Sequence, residues 1–234
     1  MTELKNKYVS LYDGELQTYG GNQMLSPRKS VRRCGCGPVA ASDAIIYLAG
    51  RESQCRNERV LSLTGKQPSE KAEYFAFLDF LCRRFIPMIY PFGTNGFFLA
   101  VGINFFFLRN NMPFRAGWGC LFGNIRKRVD RMLEDDIPAI LSIGPNFPFI
   151  FSGRHKLTLY KKRGDEFIPQ TNVNAHYVAV TAADGKWLRI SSWGKEYYIN
   201  ADEYESYLKK HSCALFSNVL YIRRKAGHKN ENIG

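Results

Sequence analysis

Apolar residues fill almost every position of VAASDAIIYLA, the run that follows Pro38 and stops at Gly50. A proline suited to a first helical turn, an Ala-rich interior and a glycine stop predict a short, largely buried helix there. Ser69 and Glu70 open a second predicted helix that reaches about Arg84 and gathers Tyr74, Phe75, Phe77, Leu78, Phe80 and Leu81 into a wide apolar face. A third, also expected to be buried, covers 96 to 109. The fourth runs from about Leu121 to Glu134, with Leu121, Ile125, Val129, Met132 and Leu133 on one face and Lys127, Arg128 and Arg131 on or near the opposite one.

After Pro138 the period shortens to that of strands. AILSIG, KLTLY, EFIPQ, AHYVAVTAA, WLRISSW and KEYYIN follow one another, with GD and DG as turn signals. A short helix, ADEYESYLKK, precedes a closing strand within ALFSNVLYIRR. Helices first and an antiparallel sheet afterwards predict an α+β fold rather than alternating βαβ units. No repeat and no Pro/Gly/Ser-rich linker divides the 234 residues, so residues 1–234 are expected to form one domain.

The most apolar stretch, Gly96 to Leu108, falls short of the ~20 residues that a membrane-spanning helix needs. With no secretory pattern at the N-terminus, a soluble, cytoplasmic protein without membrane association is expected. The net charge of +12 is spread over short groups: Arg28, Lys29, Arg32 and Arg33; Lys161, Lys162 and Arg163; Arg223, Arg224 and Lys225. None matches a nucleic-acid motif, so solvated faces and a basic tail are the first reading, an acidic partner or substrate the second. Six cysteines, at 34, 36, 55, 82, 120 and 213, are expected as mostly free thiols, with Cys82 and Cys213 as ordinary core or boundary residues.

Cys36 stands two residues before Pro38, which places its sulfur at the start of the first predicted helix. The partial positive charge and unpaired N–H groups of a helix N-terminus favour thiolate, and Arg32 and Arg33 would act in the same direction if they faced the sulfur. A thiolate nucleophile needs a base, for which imidazole has the suitable pKa. Of four histidines, His155 lies in a turn-like GRHK and His211 and His228 in the charged C-terminal part, whereas His176 opens an apolar strand. Cys36 and His176 are therefore the expected reactive pair, facing each other across a cleft. Cys34, Cys36 and His176 could instead ligate a metal, but the spacing lacks a CxxC or HxxxH, so neither metal nor cofactor is expected.

The segment CGPVAASDAIIYLAG (36 to 50) resembles the Cys-Gly-Pro opening helix of the bacteriocin-leader-processing and related papain-like cysteine peptidases. HYVAVTAADGKWLRISSWG (176 to 194) resembles the His strand, turn and Asn-Ser-Trp-Gly strand of papain-type enzymes, and DDIPAILSIG the strand before them. The likeness covers about a quarter of the chain, and the aromatic-rich helical region around 85–120 and the hairpin near 150–170 look like insertions. YGG-x-Q at Tyr19 to Gln23, GCG at Gly35 to Gly37 and SSWGK at Ser191 to Lys195 also resemble segments of a set of Firmicutes proteins with no assigned activity. The resemblance implies a papain-like fold and cleavage or transfer at an amide or acyl bond.

Two positions depart from that pattern. Where the family orients its histidine with Asn or Asp, this chain has Ser191 by the SWG match, or Ser192 by spacing and by alternation after Leu188 and Ile190. The oxyanion-stabilising Gln, about six residues before the nucleophile in the family, is replaced by Ser30 and Lys29; Gln23 is the nearest glutamine upstream. These departures favour a non-catalytic binding or scaffold protein as the alternative to a peptidase, amidase or acyltransferase. The expected partner is a peptide or other amide or acyl substrate of acidic character, with the oligomeric state left open.

Overall fold

The computed structural model describes residues 1–14, 16–65, 67–119, 124–150 and 152–225. In chain order the strands and helices are β1 (Thr2–Glu3), β2 (Tyr12–Asp13), β3 (Leu16–Gln17), a 3₁₀ turn (Gln23–Leu25), α1 (Lys29–Cys34), α2 (Cys36–Ala49), α3 (Glu58–Thr64), α4 (Lys71–Arg84), α5 (Gly96–Arg109) and β4 (Phe114–Trp118). Then come α6 (Ile125–Glu134), β5 (Ala139–Ile143), β6 (Leu157–Arg163), β7 (Glu166–Val173), β8 (His176–Ala183), β9 (Trp187–Ser192), β10 (Lys195–Asn200), α7 (Ala201–His211) and β11 (Val219–Arg224).

The chain is thus α+β, with seven α-helices among the described residues and an antiparallel sheet of nine strands. Eight of them lie in the order β4-β11-β5-β8-β9-β10-β6-β7. Strand β5 pairs with β8 from His176 to Val180, and β1 continues that edge beside Ala182 and Ala183. Every residue of β5 is buried, because α2 lies against β5 and β8 while α6 packs on β5, β8 and β11. Sheet strands covered by helices in this way read as continuous apolar runs, the pattern of AILSI and VAVTAA.

Helix α2 is buried from Gly37 to Ala49 on all sides, as its Ala-rich surface, apolar except at Ser42 and Asp43, requires. At Gly37 a Cβ would come within 3.3 Å of the Tyr177 ring, so the missing side chain lets the helix start approach β8 closely. Helix α4 buries Tyr74, Phe75, Phe77, Leu78 and Leu81, five of the six expected face residues.

The structure corrects several details. Helix α5 is not buried all round: Leu99, Ile103, Phe106 and Phe107 enter the core, while Phe97, Phe98, Phe105 and Leu108 face out. Periodicity cannot orient a helix that is apolar on every face. Within the aromatic-rich region expected as helical, Phe114–Trp118 forms strand β4 and joins the sheet through β11. Helices α1 and α3, too short to show a period, were not expected. Leu121, expected to start the fourth helix, and Cys120 and His228 lie outside the described residues. No helix among the described residues is long and apolar enough to cross a membrane.

Candidate active site

Three separate pieces of chain meet where α2 begins. Cys36 is the first residue of α2, and Gly35 caps it immediately after α1 ends at Cys34. His176 is the first residue of β8. The third piece, Tyr19 to Gln23, is a loop held by backbone bonds to the β9–β10 turn: Tyr19 N–H donates to the Gly194 carbonyl at 2.8 Å and Gly194 N–H to the Gly21 carbonyl at 3.0 Å. Cys36, His176, Gln23, Ser191 and Ser192 all line one small cavity.

The ring of His176 is held from two directions. Its Nε2 lies 2.8 Å from Ser192 Oγ, and the Trp193 indole stacks on it with centroids 4.5 Å apart. Trp193 reaches this position from a left-handed backbone, φ 50°, at the end of β9. Ser191 points elsewhere, its hydroxyl donating to the Tyr19 carbonyl at 2.7 Å. Strand alternation extends through Ser192 because the turn starts only at Trp193, so the two serines face opposite sides.

Burial dominates the electrostatics. His176 is 8 % exposed, and desolvation pushes its pKa down to about 4, so the imidazole is neutral at pH 7. Cys36 is partly exposed, yet packing around the sulfur raises its thiol pKa above the ordinary value. The backbone N–H groups of Tyr177, Gly37 and Cys36 itself pull the other way without reversing that.

The thiolate expected at a helix N-terminus is therefore corrected to a neutral thiol. The expected contribution of the arginines fails for a geometric reason. Arg32 Nη1 donates to the carbonyls of Ser26 and Pro27 at 2.6 and 2.9 Å, and Arg33 is held by the Tyr90 hydroxyl. No hydrogen bond joins the Cys36 sulfur to His176 in this resting arrangement, although both border the same cavity.

Gln23 is 8 % exposed, and its Nε2 donates one hydrogen to the Arg32 carbonyl at 2.9 Å. An amide nitrogen carries two donors, and Gln23 lines the small cavity together with Cys36. The intervening LSPRKSVRR is taken up by the 3₁₀ turn and α1, which brings Gln23 back to the start of α2.

Sequence reading missed Asp43. It lies on α2, 1 % exposed, and borders the same cavity. Its Oδ2 accepts the Gly21 N–H at 2.8 Å and its Oδ1 the Tyr74 hydroxyl at 2.7 Å. Burial raises its pKa to about 7, against the lowering effect of those two donors. A Cβ on Gly20, which has φ +77°, would sit 2.1 Å from Ser191 Oγ and 2.7 Å from Asp43 Oδ2, so only glycine fits between the two side chains. The signal available was an acid inside an otherwise apolar helix, a combination that requires buried partners.

Compared with known proteins, the chain matches no family model, and neither a curated protein nor a solved structure is significantly similar to it. Its chemistry has to be read from its own geometry. No group of three or more His, Cys, Asp and Glu side chains among the described residues is placed to hold a metal ion.

A larger cavity of about 510 Å³ is also lined by Cys36 and Tyr177. Of the four basic residues expected to flank the substrate, only Arg33 lines it. Arg28 is paired with Asp79 and Arg32 is spent on carbonyls; Lys29 is exposed and outside the lining. Pro, Ile, Leu and Phe supply nine of the lining residues and glycines four more, so Arg33 is the one basic side chain of the expected four that a substrate in this cavity would meet.

Proposed function

We propose that this protein is a cysteine-peptidase-like hydrolase or acyltransferase, of papain-like fold, that works through an acyl-Cys36 intermediate. The observation that carries the proposal is the junction of a helix-initial cysteine with a strand-initial histidine whose Nε2 is held by Ser192 and whose face is covered by Trp193. With Nε2–H donating to Ser192 Oγ, the lone pair resides on Nδ1, the nitrogen left to receive a proton from Cys36.

Both groups are neutral at rest, so the proton moves as the sulfur attacks. The Cys36 sulfur forms a bond to the substrate carbonyl carbon while its proton passes to His176 Nδ1. The carbonyl oxygen, now anionic, is stabilised by the Cys36 N–H and the second Gln23 donor. Collapse breaks the bond to the leaving group, which takes the proton from His176. Water, or another acceptor, then releases the acyl group with His176 acting again as base. Ser192 orients the ring but supplies no charge to offset an imidazolium, and a slow enzyme is the consequence.

A non-catalytic binding protein of the same fold is favoured by one observation, the uncharged and unbonded state of the resting pair. Turnover of a panel of amide, ester and thioester substrates by wild type, Cys36→Ala and His176→Ala separates the two readings. Activity in wild type that both variants lose supports the enzyme; equal residual turnover in all three supports the binding protein.

A further inference from the structure

We propose that the cavity beside Cys36 seats a long hydrocarbon chain, so that the acyl group delivered to the sulfur is fatty rather than peptidic. One wall comes from the segment 87–98, with Ile89, Phe92 and Phe98; the other comes from 142–150 and 215–216, with Ile150, Leu215 and Phe216. Cys36 and Gly37 form part of the same lining, which places the start of α2 on the wall of a largely apolar cavity. A volume of about 510 Å³ is of the size that holds a small organic ligand.

Several hydrogen-bonding groups of this wall are already committed to one another. Thr94 Oγ1 donates to the Pro87 carbonyl at 2.7 Å, Asn95 Oδ1 caps α5 by accepting the Phe98 N–H at 2.9 Å, and Cys34 Sγ donates to the Pro91 carbonyl at 3.0 Å. The Ser142 carbonyl accepts the Tyr204 hydroxyl at 2.8 Å. Part of the backbone is occupied as well. Gly93 exchanges both of its bonds with Ile89, Gly144 N–H is bonded to Ser217 Oγ and its carbonyl to the Tyr207 hydroxyl, and the Pro145 carbonyl accepts from Ser212.

An extended peptide laid along such walls would leave its own amides unpaired, which is costly, whereas an alkyl chain asks for nothing but apolar contact. The rim agrees with this choice. Phe92 is 69 % and Leu215 59 % exposed, and Ile89, Phe98 and Ile150 are also exposed at the mouth. Phe147, itself exposed, leans on Phe216 with centroids 6.4 Å apart. Large apolar side chains gathered in the open around one cleft mark a binding surface.

The chemical consequence, a fatty acyl-Cys36, rests on Cys36 being the nucleophile; the binding itself does not. Binding is therefore measured on Cys36→Ala, with dansyl-undecanoic acid as the fluorescent probe. Alkyl carboxylates, alkyl amides and an apolar tripeptide amide serve as competitors. Affinity is expected to rise about two- to fourfold per added methylene, alike for the charged and the neutral head groups, and to exceed that of the tripeptide.

Leu215→Asp and Phe98→Asp should each weaken the probe at least tenfold. Leu108→Asp, on the exposed face of α5 and outside the lining, should leave it unchanged, with thermal melting confirming that all three variants fold. Affinity independent of chain length, tighter binding of the tripeptide, or equal losses in Leu108→Asp and Leu215→Asp would overturn the proposal. Hydrolysis of p-nitrophenyl acetate through dodecanoate by wild type then separates the two claims. Turnover that ignores chain length refutes the fatty channel and leaves the nucleophile standing. Chain-dependent binding without turnover of any ester leaves the channel and refutes the nucleophile.

Discussion

Two buried ionisable groups that border one cavity should give this protein opposing pH dependences of stability that a pair of substitutions can unmask. Between pH 4 and 6.5 the native state holds Asp43 protonated and His176 neutral, because burial moves the first pKa from 3.8 up to about 7 and the second from 6.5 down to about 4. The unfolded chain holds the reverse, an ionised aspartate and a protonated histidine. As pH falls from 6.5 to 4, the unfolded state takes up a proton at His176 that the native state refuses, so stability is lost; the gap amounts to about 3 kcal/mol at ~1.4 kcal/mol per pH unit. As pH rises from 3.8 to about 7, the unfolded state gives up the Asp43 proton that the native state keeps, and about 4 kcal/mol is lost in that direction. From pH 4 to 6.5 the two contributions nearly cancel. Urea denaturation followed by circular dichroism at pH 4, 5, 6 and 7 reads this directly. Relative to wild type, Asp43→Asn should grow more stable with rising pH by ~1.4 kcal/mol per unit, and His176→Asn should grow less stable by a similar slope. Two variants running parallel to wild type across this range would refute the burial-driven protonation states.

The other predictions concern the proposed chemistry. Gln23→Ala should lower kcat by ~10²–10³ with little change in KM, read by steady-state kinetics, because the donor is needed only by the developing oxyanion. Ser192→Ala should cost about tenfold in kcat/KM through loss of the 2.8 Å contact to His176, and Ser191→Ala distinctly less, since Ser191 ties down Tyr19 and not the ring. Alkylation of Cys36 by iodoacetamide should accelerate with pH into the alkaline range rather than level off near neutrality, since burial raises the thiol pKa. Mass-spectrometric peptide mapping against Cys213 in the same sample would show it.

The second half of the fold was more legible than the first. Strands from 139 to 200 announce themselves by short apolar or alternating runs and Gly-containing turns, and they appear with boundaries close to those expected. The order of Ser191 and Ser192 could be argued from the same alternation because β9 continues without a bulge into Ser192 opposite Lys195. Strand β4 was lost inside an aromatic stretch because five residues between two loops carry too little pattern, and its pairing partner lies about a hundred residues away in β11. Asp43 and the arginines show the same limit at the site. What Asp43 does depends on Gly21 and Tyr74, and what Arg28 does depends on Asp79; these partners are set by tertiary packing. The thiolate expectation failed because a helix N-terminus is visible in the sequence and the crowding around a sulfur is not.

The central claim is a covalent acyl group on Cys36, and intact-protein mass spectrometry tests it most directly. The protein is mixed with excess octanoyl thioester, quenched in acid within seconds, weighed, and digested to locate the adduct. The account predicts a mass increase of one octanoyl group, mapped to the peptide that contains Cys36, absent from Cys36→Ala and strongly reduced in His176→Ala. An unmodified wild type, or an adduct that persists in Cys36→Ala, would contradict it.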